Sequence, residues 1–70
     1  MDYCRHIVLD FLDKSRQIQI FEYETNMVVW NDTSLEIYTP KSNKTIRDIS
    51  DNFISSLQSS GCVIVSDKCA

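Results

Sequence analysis

Between Gln17 and Thr39 the chain is rich in Ile, Val, Thr, Tyr, Phe and Trp and comes close to strict apolar/polar alternation, broken by polar pairs at Thr25-Asn26 and Asp32-Thr33. This texture predicts three strands, about 17–24, 27–31 and 34–39, in an antiparallel meander with tight turns. Ahead of them, Cys4, Ile7, Val8, Phe11 and Leu12 recur at i, i+3, i+4, i+7 and i+8, the stripe of an amphipathic helix. Asp2 is placed to cap that helix, and Lys14-Ser15-Arg16-Gln17 supplies basic charge near its end. Pro40 closes the third strand, and Thr45-Ile46-Arg47-Asp48 forms a capping box with Asp in the usual Glu position. Ile46, Ile49, Phe53, Ile54 and Leu57 follow at helical spacing, and Gly61 falls where a residue of positive φ ends a helix. Cys62-Val63-Ile64-Val65 reads as a short fourth strand, with the last five residues fraying. The expected fold is therefore a single α+β domain over residues 1–70, a two-layer sandwich of order α-β-β-β-α-β. Its three-stranded antiparallel meander and short C-terminal strand would carry two helices on one face. A strand that returns after a helix can lie parallel to an existing one through a right-handed crossover.

Two-residue turns would pair Glu24 with Met27 and Asn31 with Ser34. Phe21, Tyr23, Val28, Trp30, Leu35 and Ile37 then share one side of the sheet, the side expected under the helices. The opposite side receives Ile18, Ile20, Glu22, Glu24, Met27, Val29, Asn31, Glu36 and Tyr38. Read as the open face, it is an apolar strip of Ile20, Met27, Val29 and Tyr38 rimmed by Glu22, Glu24 and Glu36, which is the anatomy of a partner site. The plainer reading is that small sheets leave a few apolar side chains outward.

Seventy residues allow one small domain, and 43% hydrophobic with 24% charged residues excludes a disordered or low-complexity chain. Such a domain buries only about 60–65% of its unfolded surface, so contacts with partners weigh more than usual. Ten acids against seven bases argue against a protein devoted to a nucleic-acid backbone. Residues 17–40 hold Glu22, Glu24, Asp32 and Glu36 with no Lys or Arg, an expected acidic surface suited to a basic or apolar partner. One Ala and one Gly against eight Ile and nine Ser suit an AT-rich genome, a hint of viral or phage origin. No run approaches a membrane span, and Met1-Asp2-Tyr3 is unlike a signal peptide, so the expected location is the cytoplasm, of a host cell if the gene is viral.

Cys4, Cys62 and Cys69 are an odd set near the ends and read as reduced thiols. His6 is the only histidine, so any acid–base, triad or zinc proposal must pass through it. Cys4 and His6 would point to different sides of a helix, and no Cys-x-x-Cys pair anchors a metal. The sequons Asn31-Asp32-Thr33 and Asn43-Lys44-Thr45 read as turn and cap chemistry. In element order alone, the α-β-β-β-α part resembles the double-stranded RNA-binding domain, with Lys41, Lys44 and Arg47 at the start of the second helix, where that family places phosphate-contacting bases. The sequence departs from the family in lacking its glycine-containing loops, alanine-rich second helix and paired lysines.

These observations support a small non-catalytic protein-binding domain, acting as an inhibitor, adaptor or regulatory subunit through the acidic, apolar sheet face or a sheet edge. Its expected contact residues are Ile20, Glu22, Glu24, Met27, Val29, Glu36 and Tyr38. The expected partner is a protein with a basic or apolar patch, or a second copy forming a homodimer. No cofactor, metal or membrane enters this reading. The alternatives are a nucleic-acid-associated protein using Lys41, Lys44 and Arg47, and a small metal- or thiol-dependent protein built on His6 and the cysteines.

Overall fold

A strand stands where the helical stripe predicted the first helix. The computed structural model describes residues 3–41 and 43–69, so the Asp2 cap lies outside the described residues. Strand β1 is Arg5–Phe11, followed by β2 (Gln17–Glu22), β3 (Met27–Trp30), β4 (Leu35–Tyr38), the helix α1 (Ile46–Ser59) and β5 (Cys62–Cys69). Among the described residues, the two-helix α-β-β-β-α-β sandwich is thus replaced by β-β-β-β-α-β, one antiparallel sheet in the order β4-β3-β2-β1-β5 with a single helix. The resemblance in element order to the double-stranded RNA-binding domain goes with the first helix.

The nine-residue window around β1 satisfies two periodicities, and burial shows which one holds. A helix would leave Leu9 off its stripe and put Leu12 on it, whereas Leu9 is 0% exposed and Leu12 is 70% exposed. Period 2 sends Arg5, Ile7, Leu9 and Phe11 to one side and His6, Val8 and Asp10 to the other. The polar run taken for a helix end is a turn. Asp13 accepts from the Ser15 N–H (2.9 Å) and hydroxyl (2.6 Å), Lys14 takes φ 57°, and the Phe11 N–H donates to the Arg16 carbonyl (3.1 Å).

The second hairpin has the expected register, with Asn31 N–H donating to Ser34 O (3.1 Å). The first turns earlier, because Tyr23 N–H donates to Asn26 O (2.8 Å) and leaves Glu24 and Thr25 at the tip. Glu22 therefore faces Met27, Phe21 faces Val28 and Gln19 faces Trp30. This slip changes the partners but not the faces, since each residue meets another of the same parity.

Thr45 caps α1 through the predicted capping box. Its hydroxyl accepts from Asp48 N–H (3.1 Å), and Asp48 Oδ2 accepts from Thr45 N–H (3.1 Å). Gly61 has φ +97° just past the helix, the conformation predicted for it. Strand β5 then runs to Cys69, beyond the expected Val65, and pairs antiparallel with β1 instead of crossing over to a parallel neighbour. Because β1 lies between β2 and β5, β4 and β5 run in the same direction at opposite edges. The helix must therefore carry the chain back along the strands as well as across them. Fourteen residues span about 21 Å, and four strand spacings about 19 Å.

The helix lies on the face carrying Ile7, Leu9, Ile18, Ile20, Met27 and Val29, and adds Ile46 and Ile54 to them. The sheet residues expected beneath helices lie on the other side. Trp30, the expected centre of the core, is 40% exposed there. From this burial, Leu9→Ala is expected to cost about 2–5 kcal/mol in urea unfolding, and Leu12→Ala under about 0.5 kcal/mol. Equal costs would contradict the strand assignment.

Candidate functional site

The seven expected contact residues do not form an open site. Ile20, Met27 and Val29 are core residues beneath α1, and Glu22 is 3% exposed among them. Tyr38 is half-buried against Phe53, with ring centroids 5.8 Å apart, and its hydroxyl donates to Glu36 (2.8 Å). Glu36 on β4 and Glu24 in the first hairpin turn are exposed, separated from the buried Glu22. The correction follows from alternation: Ile18 and Ile20 share the helix side, whereas Gln17 and Gln19 must take the other.

Glu22 is instead the hub of an ion cluster. Its carboxylate accepts from Arg5 Nη1 (2.9 Å), Arg47 Nε (3.0 Å) and the Ser50 hydroxyl. Arg5 also forks onto Asp67, through Nε to Oδ1 (2.8 Å) and Nη2 to Oδ2 (2.7 Å), and reaches Asp51 at 3.4 Å. The cluster joins β1, β2, β5 and α1. Burial alone raises the Glu22 carboxyl, but hydrogen bonds from Ser50, Arg47 and Arg5 outweigh it and hold the group below its ordinary value. The Asp67 hydrogen bond is the largest influence on Arg5 and raises it against the opposing effect of burial. In return Arg5 lowers the Asp67 carboxyl.

The other proposed residues separate in the same way. Arg47 is drawn to Glu22, whereas Lys41 and Lys44 stay exposed and are linked by Lys44 N–H donating to Lys41 O (3.0 Å). They stand at the rim of a groove of about 490 Å³, floored by Met27, Tyr38, Ile49 and Phe53, between β4 and α1. Cys4 and Cys69 are exposed thiols, and Cys62 is a buried one whose pKa burial raises. Among the described residues, no three His, Cys, Asp or Glu side chains come together as a metal site. Asn31 makes turn chemistry, its side-chain oxygen accepting from Thr33 and Ser34 N–H groups (2.9 and 3.0 Å).

The open face has two halves. One cross-strand row runs Lys68, His6, Phe21, Val28, Ile37, and the next runs Ser66, Val8, Gln19, Trp30, Leu35. On the β1 side a polar chain is tied by hydrogen bonds, His6 to Gln19 (2.9 Å), Gln19 to Gln17 (3.0 Å) and Gln17 to Asp10 (3.0 Å), with Val63 of β5 exposed opposite Asp10. His6 also stacks on Phe21 with centroids 4.2 Å apart, so the single histidine is engaged in the face itself. Toward β4 the face becomes wholly apolar, ending in Trp30, Leu35 (58% exposed) and Ile37 (65% exposed). Searches found no matching family model, curated protein or solved structure.

The ion cluster carries a pH prediction. Glu22 and Asp67 are held below their ordinary values of 4.5 and 3.8, so their stabilisation is present above those values and is lost as pH falls through the lower folded-state ones. Acid destabilisation, followed by circular dichroism in urea, should begin near pH 4.5 and steepen below it. Glu22→Ala should cost about 3–5 kcal/mol at neutral pH and flatten the acid response. An unchanged acid slope in the variant would contradict the role given to Glu22.

Proposed function

We propose that this chain is a small non-catalytic protein-binding domain whose contact surface is the open sheet face, centred on Phe21, Val28, Trp30, Leu35 and Ile37. One observation carries the reading: these five side chains are contiguous on a side that the helix does not cover, and three of them are large apolar groups left exposed.

The chemistry of the partner follows from the residues present. The ionisable groups of the two described rows and of the polar chain beside them are His6, Asp10 and Lys68, all on the β1–β5 side. The apolar half is uncharged, so it fits a neutral apolar protein surface, and the basic patch implied by the glutamates has no counterpart here. Trp30 is the natural anchor, since a large, half-exposed indole gains most when a partner completes its desolvation. With no charge at the centre, association should depend little on ionic strength.

The reading is tested by affinity capture from host extract followed by titration of the purified partner. Trp30→Ala and Val28→Lys should retain the wild-type circular dichroism spectrum and weaken binding at least about tenfold, or 1.4 kcal/mol. Lys41→Glu with Lys44→Glu should not weaken it. Undiminished affinity in both face variants would overturn the proposal.

A further inference from the structure

We infer that the β4 edge pairs with the β4 edge of a second copy, joining two sheets into one ten-stranded sheet. The two apolar half-faces then become a single strip. This rests on the reading of the open face as a contact surface and names one occupant for its margin.

The backbone polarity of β4 supplies the first reason. Asn31 and Ser34 are a hydrogen-bonded pair, so alternation makes Val29–Glu36 and Met27–Tyr38 hydrogen-bonded pairs as well. Glu36 and Tyr38 thus turn their N–H and C=O groups toward β3, while Leu35 and Ile37 turn theirs to the free edge. The same two residues carry exposed apolar side chains. An edge of this kind is a template for another strand.

The second reason is the contrast between the two edges. Strand β5 also exposes Val63, Ile64 and Val65, but its register breaks opposite Val8 and Leu9, leaving Val65 as an extra residue, and Asp67 and Lys68 lie on the strand. A bulge and charges are the usual protections of an exposed edge. Strand β4 pairs with β3 in unbroken register and holds one charge, Glu36, already engaged by Tyr38. The helix packs over β2, β3 and β5 and reaches β4 through Phe53 against Tyr38, which leaves Leu35 and Ile37 exposed on the other face.

Charge and parity fix the register. Antiparallel pairing about a two-fold axis must match residues of one face, which leaves Glu36 opposite its own copy or Glu36 opposite Tyr38 of that copy. The first sets like charges face to face. The second places Ile37 opposite Ile37 on the axis and sets a neutral Tyr38 beside each Glu36, whose own Tyr38 keeps its hydroxyl hydrogen bond. The structure favours the second, with Leu35 opposite Thr39 on both sides. An edge of four residues makes this a weak dimer.

Sedimentation equilibrium and amide hydrogen exchange, over a hundredfold range of protein concentration into the millimolar, test the pairing. The weight-average mass should rise toward twice that of the chain, and the Leu35 and Ile37 amides should gain at least tenfold protection over the same range. Ile37→Pro removes an N–H that makes no bond within the sheet, an edge position where proline is tolerated, and should abolish both effects. Phe21→Lys, on β2 and two strands in from the edge, should still dimerise while losing the partner of the open face, which separates this inference from the reading beneath it. A mass that stays monomeric, a dimer whose Leu35 and Ile37 amides remain unprotected, or protection of those amides by a foreign partner alone would overturn the inference. Should Ile37→Pro not fold, the concentration dependence of protection in the wild-type chain decides.

Discussion

One helix can cover only one face of a five-stranded sheet, and most of this structure follows from which face it covers. The choice is made by polar residues on β1 and β2. His6, Asp10, Gln17 and Gln19 share a side with Phe21 and Trp30. Laying α1 on that side would strip water from all four, at about 1–3 kcal/mol for each group left imperfectly paired. The aliphatic side holds two charges, the buried Glu22 and the half-buried Arg5, which pair with each other and are completed by Arg47, Ser50 and Asp67. The aromatic residues, expected as the core from their cross-strand pairing, are left outside because they share a side with the polar groups of β1 and β2.

Glu22 shows how a small domain tolerates a buried carboxylate. Desolvation opposes its charge, and three donors from β1 and α1 outweigh that opposition. Arg5 extends the same contacts to Asp67 on β5, the last strand in the sequence. The cluster therefore ties the strand that follows the helix in the sequence to strands that precede it. No buried side-chain nitrogen or oxygen lacks a partner among the described residues, the condition under which a polar network in a core is not a defect. Its loss in acid would loosen β5 and the helix together.

Local signals were legible in the sequence wherever a few neighbouring residues decide the outcome. The Thr45–Asp48 capping box, the positive φ of Gly61, strands β2 to β4 and the Asn31–Ser34 turn are of this kind. The first hairpin turn was misplaced because neither Glu24-Thr25 nor Thr25-Asn26 carries a strong turn signal, and a slip of this parity leaves every side chain on its face. Strand β1 is not legible in the sequence because nine residues fit both periods. Leu9, stranded on the polar side of the supposed helix, was the discriminating residue. The covered face was likewise written in Gln17-Ile18-Gln19-Ile20, but six aromatic and aliphatic residues on the other side outweighed it. No local pattern states that β5 will choose β1, and that pairing needs the whole sheet.

The apolar half of the open face calls for an explanation that folding alone only partly provides. Val28–Ile37 and Trp30–Leu35 are non-hydrogen-bonded cross-strand pairs, where side chains approach closest, and such pairs stabilise a hairpin by about 0.2–1 kcal/mol each. Threonine and tyrosine would serve a solvated hairpin nearly as well without presenting bare aliphatic surface to water. Across the same face, β1 and β2 do use polar side chains, His6, Asp10, Gln17 and Gln19, hydrogen-bonded to one another. Exposure to solvent thus selects polar residues on one half and not on the other. Strand β5 does expose Val63, Ile64 and Val65, but at a bulged edge, whereas toward β4 the apolar side chains run in unbroken register to an edge without a bulge. An apolar run that ends at an unbulged edge is what a surface completed by another chain would show, and it supports placing the contact at β3 and β4 in preference to the groove beside Lys41 and Lys44.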